Sequence, residues 1–265
     1  IKLQVETVAR CNQIDLDQAE HAVRERDDAR GGSFQARCLM NDPAQDAVPP
    51  AMFRWISEVP ADRPVALLVR HSVRDELPHD DIGYELPLNP LGVRLARSLG
   101  AAMRGRVRSL RSSPVSRCVE TAALIGEAAG AAFDAVPDRM LGDPGAYVID
   151  RQLAGRNWLA MGSRGIMAHL AFRDDPLPGT EHPDVGARKL VRHMLDVAAD
   201  APGLHVFVTH DILLAATAAR FLGPPRGPEP WPRYLEGAFF WRDEAGLTAA
   251  YRDASRPGLA DPSRV

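Results

Sequence analysis

The chain has 265 residues, of which 45% are hydrophobic and 25% are charged. This ordinary globular composition excludes a collagenous, a coiled-coil or a wholly disordered protein. No run of about 18 apolar residues occurs, so the sequence predicts no transmembrane helix and no membrane partner. The net charge of −3 gives no reason to expect nucleic acid as a partner. The three cysteines form no CxxC pair, which favours a reducing compartment and predicts a cytoplasmic protein.

Residues 1–50 are predicted to form an N-terminal appendage and linker. A polar helix is expected over 15–30, and prolines interrupt the stretch 41–50. This region has too few large apolar residues for a core of its own, so docking, dimerisation and disorder are all open roles. The remaining residues, 51–265, are long enough to bury one sizeable core, and we leave open whether that domain forms an oligomer.

The first half of this domain predicts alternating strands and helices. After a short helix over 51–59, the run PVALLV at 64–69 is continuously apolar, which is typical of a buried parallel strand. The elements expected next are a helix over 91–103, a strand over 106–111, a helix over 115–129 and a strand over 132–136. This alternation predicts a parallel sheet with right-handed crossovers.

The second half predicts a helical insertion from about 138 to 201 and then a return to the sheet. Helices are expected over 151–161, 166–172 and 185–199, followed by a strand over 205–208, a helix over 212–222 and a hairpin formed by 238–241 and 247–251. The predicted fold is therefore a three-layer α/β/α sandwich with a mostly parallel sheet and a helical insertion.

Three of the predicted strands end in chemically unusual residues. These are Arg70, His71 and Arg74 after the first strand, Ser113 and Arg117 after the second, and His210 and Asp211 after the fourth. Ligands of open parallel sheets bind beyond the carboxyl ends of the strands. Three arginines at one edge repel one another unless an anion binds there, and phosphate is the anion that arginine meets with two hydrogen bonds.

Two histidines beside three arginines predict covalent chemistry. Positive surroundings disfavour imidazolium, so one histidine could stay neutral and act as a nucleophile toward phosphorus. The carboxyl group of Asp211 could then protonate the leaving oxygen.

The same segments resemble the histidine phosphatase superfamily, whose members include phosphoglycerate mutases and histidine acid phosphatases. The sequence LLVRHSVR at 67–74 resembles the RHG motif, and SSPVSRCVETA at 112–122 is similar to the SSPxxRxxxTA signature. The sequence VTHD at 208–211 looks like the segment of the second catalytic histidine, and NPLG at 89–92 lies where the family has its LTxxG helix start. The resemblance covers about residues 64 to 251.

The resemblance implies a role for each site residue. His71 would be the phosphorylated nucleophile, and Arg70, Arg117 and His210 would complete the phosphate pocket. Arg74 matches the second arginine of the RHxxR form found in the acid phosphatase branch. Ser72, which replaces the usual glycine, is small and could donate a hydrogen bond to the substrate.

The proton donor has two candidates. Asp211 matches the HD dipeptide of the acid phosphatase branch, in which the aspartate is the donor. The mutase branch places a glutamate donor in its middle segment, where this chain has Asp143 and no obvious counterpart. We favour Asp211 and keep Asp143 as the alternative.

The sequence thus predicts a phosphomonoester hydrolase that acts on a small phosphorylated metabolite through phosphohistidine, with no metal and no cofactor. The alternatives in the same fold are a mutase-type phosphotransferase and a phosphatase of protein phosphohistidine. The alternative from another class is a non-catalytic adaptor that binds phosphate.

Overall fold

The computed structural model describes residues 46–76, 83–199, 201–223 and 231–263. The chain divides into two units at residues 44 and 45, and the fold described here is that of the second unit. The helix predicted over 15–30 lies outside the described residues, and the roles considered for residues 1–50 stay predictions.

The second unit is built on a seven-stranded mixed sheet. The strands are β1 (Pro64–Arg70), β2 (Val107–Ser112), β3 (Val136–Pro137), β4 (Gly203–Thr209), β5 (Gly237–Asp243), β6 (Gly246–Tyr251) and β7 (Ala254–Leu259). They lie in the order β3-β2-β4-β1-β5-β6-β7. The pairs among β3, β2, β4 and β1 are parallel, whereas β5, β6 and β7 pair antiparallel.

Helices cover both faces of the sheet. They are α1 (Pro50–Glu58), α2 (Pro90–Ala102), α3 (Ser116–Ala129), α4 (Arg151–Phe172), α5 (Pro183–Ala198) and α6 (Asp211–Leu222). Strand β1 shows why, because successive side chains of a strand point to opposite faces. Val65, Leu67 and Val69 pack with α1–α3, whereas Ala66 and Leu68 pack with α4–α6. The predicted three-layer α/β/α fold is therefore confirmed.

Three elements differ from the sequence prediction. Strand β3 is only two residues long instead of the predicted 132–136, and it ends at Pro137, which has no N–H for a ladder bond. Strand β7 was not predicted, because its residues are almost all exposed and include Pro257 and Gly258. The two helices predicted over 151–161 and 166–172 are one element, α4, interrupted at Gly162.

The register of the central strands aligns their carboxyl ends. Arg70 pairs with Thr209, and Ser112 pairs with Val208, so β1, β2 and β4 end at nearly the same level. The residues that follow these strands therefore meet at one edge of the sheet. Within the described ranges, no helix has both the length and the apolar character needed to cross a membrane.

Candidate active site

His71 is buried and held in one orientation. It directly follows β1, and its backbone N–H donates to the carbonyl of Thr209 at 2.9 Å. Its ring Nδ1 lies 2.8 Å from the carbonyl oxygen of Ser72. A carbonyl oxygen only accepts, so this contact assigns the ring proton to Nδ1 and leaves the lone pair on Nε2.

Arg117, in the first turn of α3, connects the two site histidines. Its Nε–H donates to Nε2 of His71 at 3.2 Å, and its Nη2 donates to Nδ1 of His210 at 3.4 Å. A third bond, from Nη1 to the carbonyl of Gly83 at 2.7 Å, holds the planar group. One guanidinium therefore faces the lone pair of each ring.

His210 directly follows β4 and precedes α6. Its Nε2–H donates to Oγ of Ser113 at 3.0 Å, which agrees with Nδ1 being the acceptor for Arg117. The ring centroids of His210 and His71 are 5.6 Å apart, and the ring planes are inclined at 69°. The two rings thus line one small pocket, as the strand ends predicted.

Both histidines are held neutral. Burial lowers the pKa of His71 well below its ordinary value of 6.5, and the charges of Arg70, His210 and Arg117 lower it further. Burial and the charge of Arg117 lower the pKa of His210 to about 4, although the nearby carboxylate of Asp211 opposes this shift. A neutral His71 is a competent nucleophile once its Nε2 lone pair exchanges the contact with Arg117 for one with phosphorus.

Arg70 is surrounded by partners that fix its guanidinium. Its Nη1 donates to the carbonyl of Pro232 at 2.6 Å, and its Nη2 lies 3.0 Å from Oδ2 of Asp211. The guanidinium carbon lies 4.0 Å from the ring centroid of Tyr234. Its Nε is buried and has no hydrogen-bond partner among the described residues, so this N–H could donate to an oxyanion.

Arg74 and Ser72, the other two predicted substrate-binding residues, differ from each other in burial and in hydrogen-bond partners. Arg74 is half-buried, and its Nη1 donates to the carbonyl of Asp75 at 2.7 Å. Its buried Nε has no hydrogen-bond partner within the part of the chain that the structure describes. Ser72 is fully buried, and its hydroxyl donates to the carbonyl of Gly92 in α2 at 2.7 Å. The structure gives Ser72 a packing contact, and its predicted role in substrate binding stays a prediction.

The two candidate proton donors both flank the pocket. Asp211 accepts the N–H of Ile212 on Oδ1, and its Oδ2 pairs with Arg70. Asp143 accepts from Arg151 at 2.8 Å on Oδ1 and from the hydroxyl of Tyr84 at 3.3 Å on Oδ2. It directly follows Gly142, where a Cβ would lie 2.6 Å from Oγ of Ser113 and 2.8 Å from Nε2 of His210. Each carboxylate has partners on both oxygens, so the choice between them needs an experiment.

Two residues of the pocket were missed from sequence. The ring of Tyr234 lies 5.7 Å from the ring of His71 and under Arg70, but it follows a proline-rich loop and belongs to no motif. Cys118 has its Sγ 3.7 Å from Nε2 of His210, and burial raises the pKa of its thiol to about 12. Cys118 therefore stays a neutral thiol in the pocket wall.

The comparison with protein families identifies one family for this chain. The sequence model of the Histidine phosphatase superfamily (branch 1) matches residues 66–233. No curated protein gives a significant sequence match. A solved mycobacterial glucosyl-3-phosphoglycerate phosphatase is 19% identical, with 75% of this chain and 98% of that chain covered and a TM-score of 0.43. A phosphoglycerate mutase from Bacillus anthracis str. Sterne is 17% identical, with 77% and 96% covered and a TM-score of 0.48.

Proposed function

Because this chain belongs to the histidine phosphatase superfamily (branch 1), we propose that it hydrolyses phosphomonoesters through a phosphohistidine intermediate on His71. The observation that carries the proposal is the tautomer of the His71 ring, which is set by its two hydrogen bonds. Its Nδ1 proton is held by the carbonyl of Ser72, and its Nε2 lone pair faces the guanidinium of Arg117.

In the first step, Nε2 of His71 attacks phosphorus in line with the leaving oxygen. The N–P bond forms as the P–O bond to the alcohol breaks, and the alcohol oxygen takes up one proton. Negative charge is spread over three equatorial oxygens in such a transfer, so catalysis depends on positioned positive charge. Arg117 and the unpartnered Nε of Arg70 supply it, and the Nε2–H of His210 adds a neutral donor after it leaves Ser113.

In the second step, water attacks the phosphohistidine. The P–N bond breaks, inorganic phosphate is released, and the proton of the attacking water goes to the carboxylate that served as the donor. We propose Asp211 for this role, because it follows His210 directly and lies 3.0 Å from Arg70. Asp143 is the alternative, because it lies in the middle segment beside Gly142 and His210.

The proposed substrate is a small phosphorylated metabolite, and the proposed reaction uses no metal and no cofactor. The guanidinium groups of Arg70 and Arg117 act on His71, and that of Arg74 acts on His210, so positive charge surrounds the two rings. Arginine suits this role because its fork can bind two phosphate oxygens at once. Among the described residues, no three His, Cys, Asp or Glu side chains cluster in a way that could hold a metal ion.

The test is the variant His71→Ala assayed with an aryl phosphate and with a labelled substrate. We expect turnover to fall by far more than the roughly 10²–10³ that the loss of one oxyanion donor costs, because no other group forms the N–P bond. Acid-labile label should be trapped on the unaltered chain and not on the variant. A variant that keeps more than about a hundredth of the activity would refute the assignment.

A matched control is His205→Gln. Like His71, His205 is a buried histidine. It lies in β4, and its ring contacts Ser109 and the carbonyl of Ala201, away from the pocket. This variant should keep the activity. If the unaltered chain is labelled but turns over only after a phosphorylated primer is added, the activity is that of a mutase. No label and no turnover would instead indicate a phosphate-binding adaptor.

A further inference from the structure

The segment 138–142 lies across the carboxyl ends of two central strands. The backbone N–H of Asp138 donates to the carbonyl of Ser112, the last residue of β2, at 2.7 Å. The hydroxyl of Thr209, the last residue of β4, donates to the carbonyl of Leu141 at 2.6 Å. The residues that follow these two strand ends belong to the active site, so the segment is attached directly beside it.

The end of this segment restricts the ring of His210. A Cβ on Gly142 would lie 2.6 Å from Oγ of Ser113 and 2.8 Å from Nε2 of His210. These are the two atoms that the 3.0 Å hydrogen bond of the site joins. The backbone at Gly142 therefore leaves no room for even a methyl group beside this bond. If the segment moved outward, the ring could turn, so the orientation of His210 depends on where residues 138–142 are held.

The buried carboxylate of Asp138 anchors the segment. Its Oδ1 accepts the backbone N–H of Met140 at 3.0 Å and so caps the short helical turn Arg139–Leu141. Its Oδ2 accepts a hydrogen bond from Nε2 of His193, in α5, at 2.6 Å. The guanidinium of Arg111 lies 3.7 Å from the same oxygen, which is too far for a hydrogen bond. His193 thus connects the carboxylate, and with it the segment, to the helix α5.

The contact between Asp138 and His193 is short and charge-assisted. A carboxylate only accepts, so this contact places a proton on Nε2 of His193. Burial by itself raises the pKa of Asp138, but the hydrogen bonds from His193 and Met140 outweigh burial and lower that pKa below its ordinary value. An open cavity of about 400 Å³ borders Met140 and His193, so close packing does not hold the segment from this side. The hydrogen bond has to do so.

We propose that Asp138 and His193 are a positioning pair for the active site, which holds residues 138–142 so that Gly142 keeps the ring of His210 in its orientation. The inference rests on the proposed function and adds two positioning residues to it. The arginines that meet the phosphate in the ground state are unaffected by the pair, so its loss should lower kcat and leave KM nearly unchanged. A shift of about 1 Å at a group that acts in the transition state can cost about 10²-fold in rate.

The test compares His193→Met with His193→Gln. The two new side chains are similar in length, but only glutamine keeps an N–H that can reach Asp138. The side chain of His193 is 29% exposed, so both variants should fold, and His193→Ala gives the same comparison without added bulk. With an aryl phosphate we expect kcat to fall by about tenfold to 10²-fold in His193→Met, with KM nearly unchanged. His193→Gln should regain most of this loss.

Lys189→Met is the matched control for these variants. Lys189 lies one turn earlier on the same side of α5, and its ammonium group pairs with Glu181 at 3.2 Å. This variant therefore loses an ion pair of α5 without releasing the segment 138–142, and it should keep the activity of the unaltered chain.

The ring nitrogens of His210 give a second readout, which does not depend on turnover. Nitrogen-15 NMR should show the proton on Nε2 in the unaltered chain and in His193→Gln, and a mixture of the two tautomers in His193→Met. If the unaltered chain hydrolyses no phosphomonoester but His210 responds in this way, the proposed activity is wrong and the positioning pair stands. An unchanged His210 ring in His193→Met, or equal losses of kcat in the methionine and glutamine variants, overturns the pair.

Discussion

Gly142, which lies beside His210, allows the role of the orientation of the His210 ring to be tested. Gly142 has φ 151° and ψ 162°, a conformation that is almost confined to glycine. A Cβ at this position would lie 2.6 Å from Oγ of Ser113 and 2.8 Å from Nε2 of His210. These two atoms are the partners of the 3.0 Å hydrogen bond that orients the His210 ring. Gly142→Ala must therefore displace that ring as well as strain the backbone.

The two consequences of Gly142→Ala have different magnitudes. The backbone conformation costs about 1–3 kcal/mol of the free energy of unfolding. In a domain of this size each kcal/mol lowers Tm by about 2–4 °C, so the protein should stay folded at room temperature. The displaced His210 no longer presents its N–H to the transferred phosphoryl group, and kcat should fall by about 10²–10³, as for the loss of one oxyanion donor.

The assay measures kcat/KM with an aryl phosphate beside Tm from thermal unfolding. Gly130→Ala is the matched control, because Gly130 has φ 73° and no heavy atom within 4 Å of its Cβ position. That variant should lose a comparable amount of stability and keep its activity. Ordinary activity in Gly142→Ala would refute the argument that the missing side chain allows the 142–143 segment to pack on His210.

Two further predictions concern the proton donor and pH. If Asp211 is the donor, Asp211→Asn should cripple hydrolysis of alkyl phosphates and largely spare nitrophenyl phosphate, whose leaving group needs less protonation. The reverse pattern, in which Asp143→Asn shows this dependence and Asp211→Asn does not, would assign the donor to Asp143. The lowered pKa of His210, about 4, means that the unfolded chain binds a proton between about pH 6.5 and 4 while the folded chain does not. The free energy of unfolding, measured by denaturant titration, should therefore decrease by up to roughly 3 kcal/mol as the pH falls through this window, and His210→Gln should weaken the decrease.

The central sheet and the convergence of the site residues could both be predicted from the amino-acid sequence. Strand β1 was predictable because its uninterrupted apolar run suits a strand that is covered on both faces. Parallel strands end at one edge, so the positions of His71, Arg117 and His210 after β1, β2 and β4 were enough to bring them together. These inferences depend on local patterns and on one topological rule, and both can be read along the chain.

The groups that hold those side chains in place could not be predicted, because they come from the packing of separate elements. Tyr234 packs against Arg70 although the two residues are distant in sequence, and no periodic pattern in the sequence predicts such a contact. The hydroxyl of Ser72 is bonded to Gly92 in a neighbouring helix, although its position beside His71 suggested a substrate contact. Side-chain partners depend on the packing of separate elements at distances of a few ångströms. A sequence pattern specifies which face a residue occupies, but it does not specify the atom that the residue meets there.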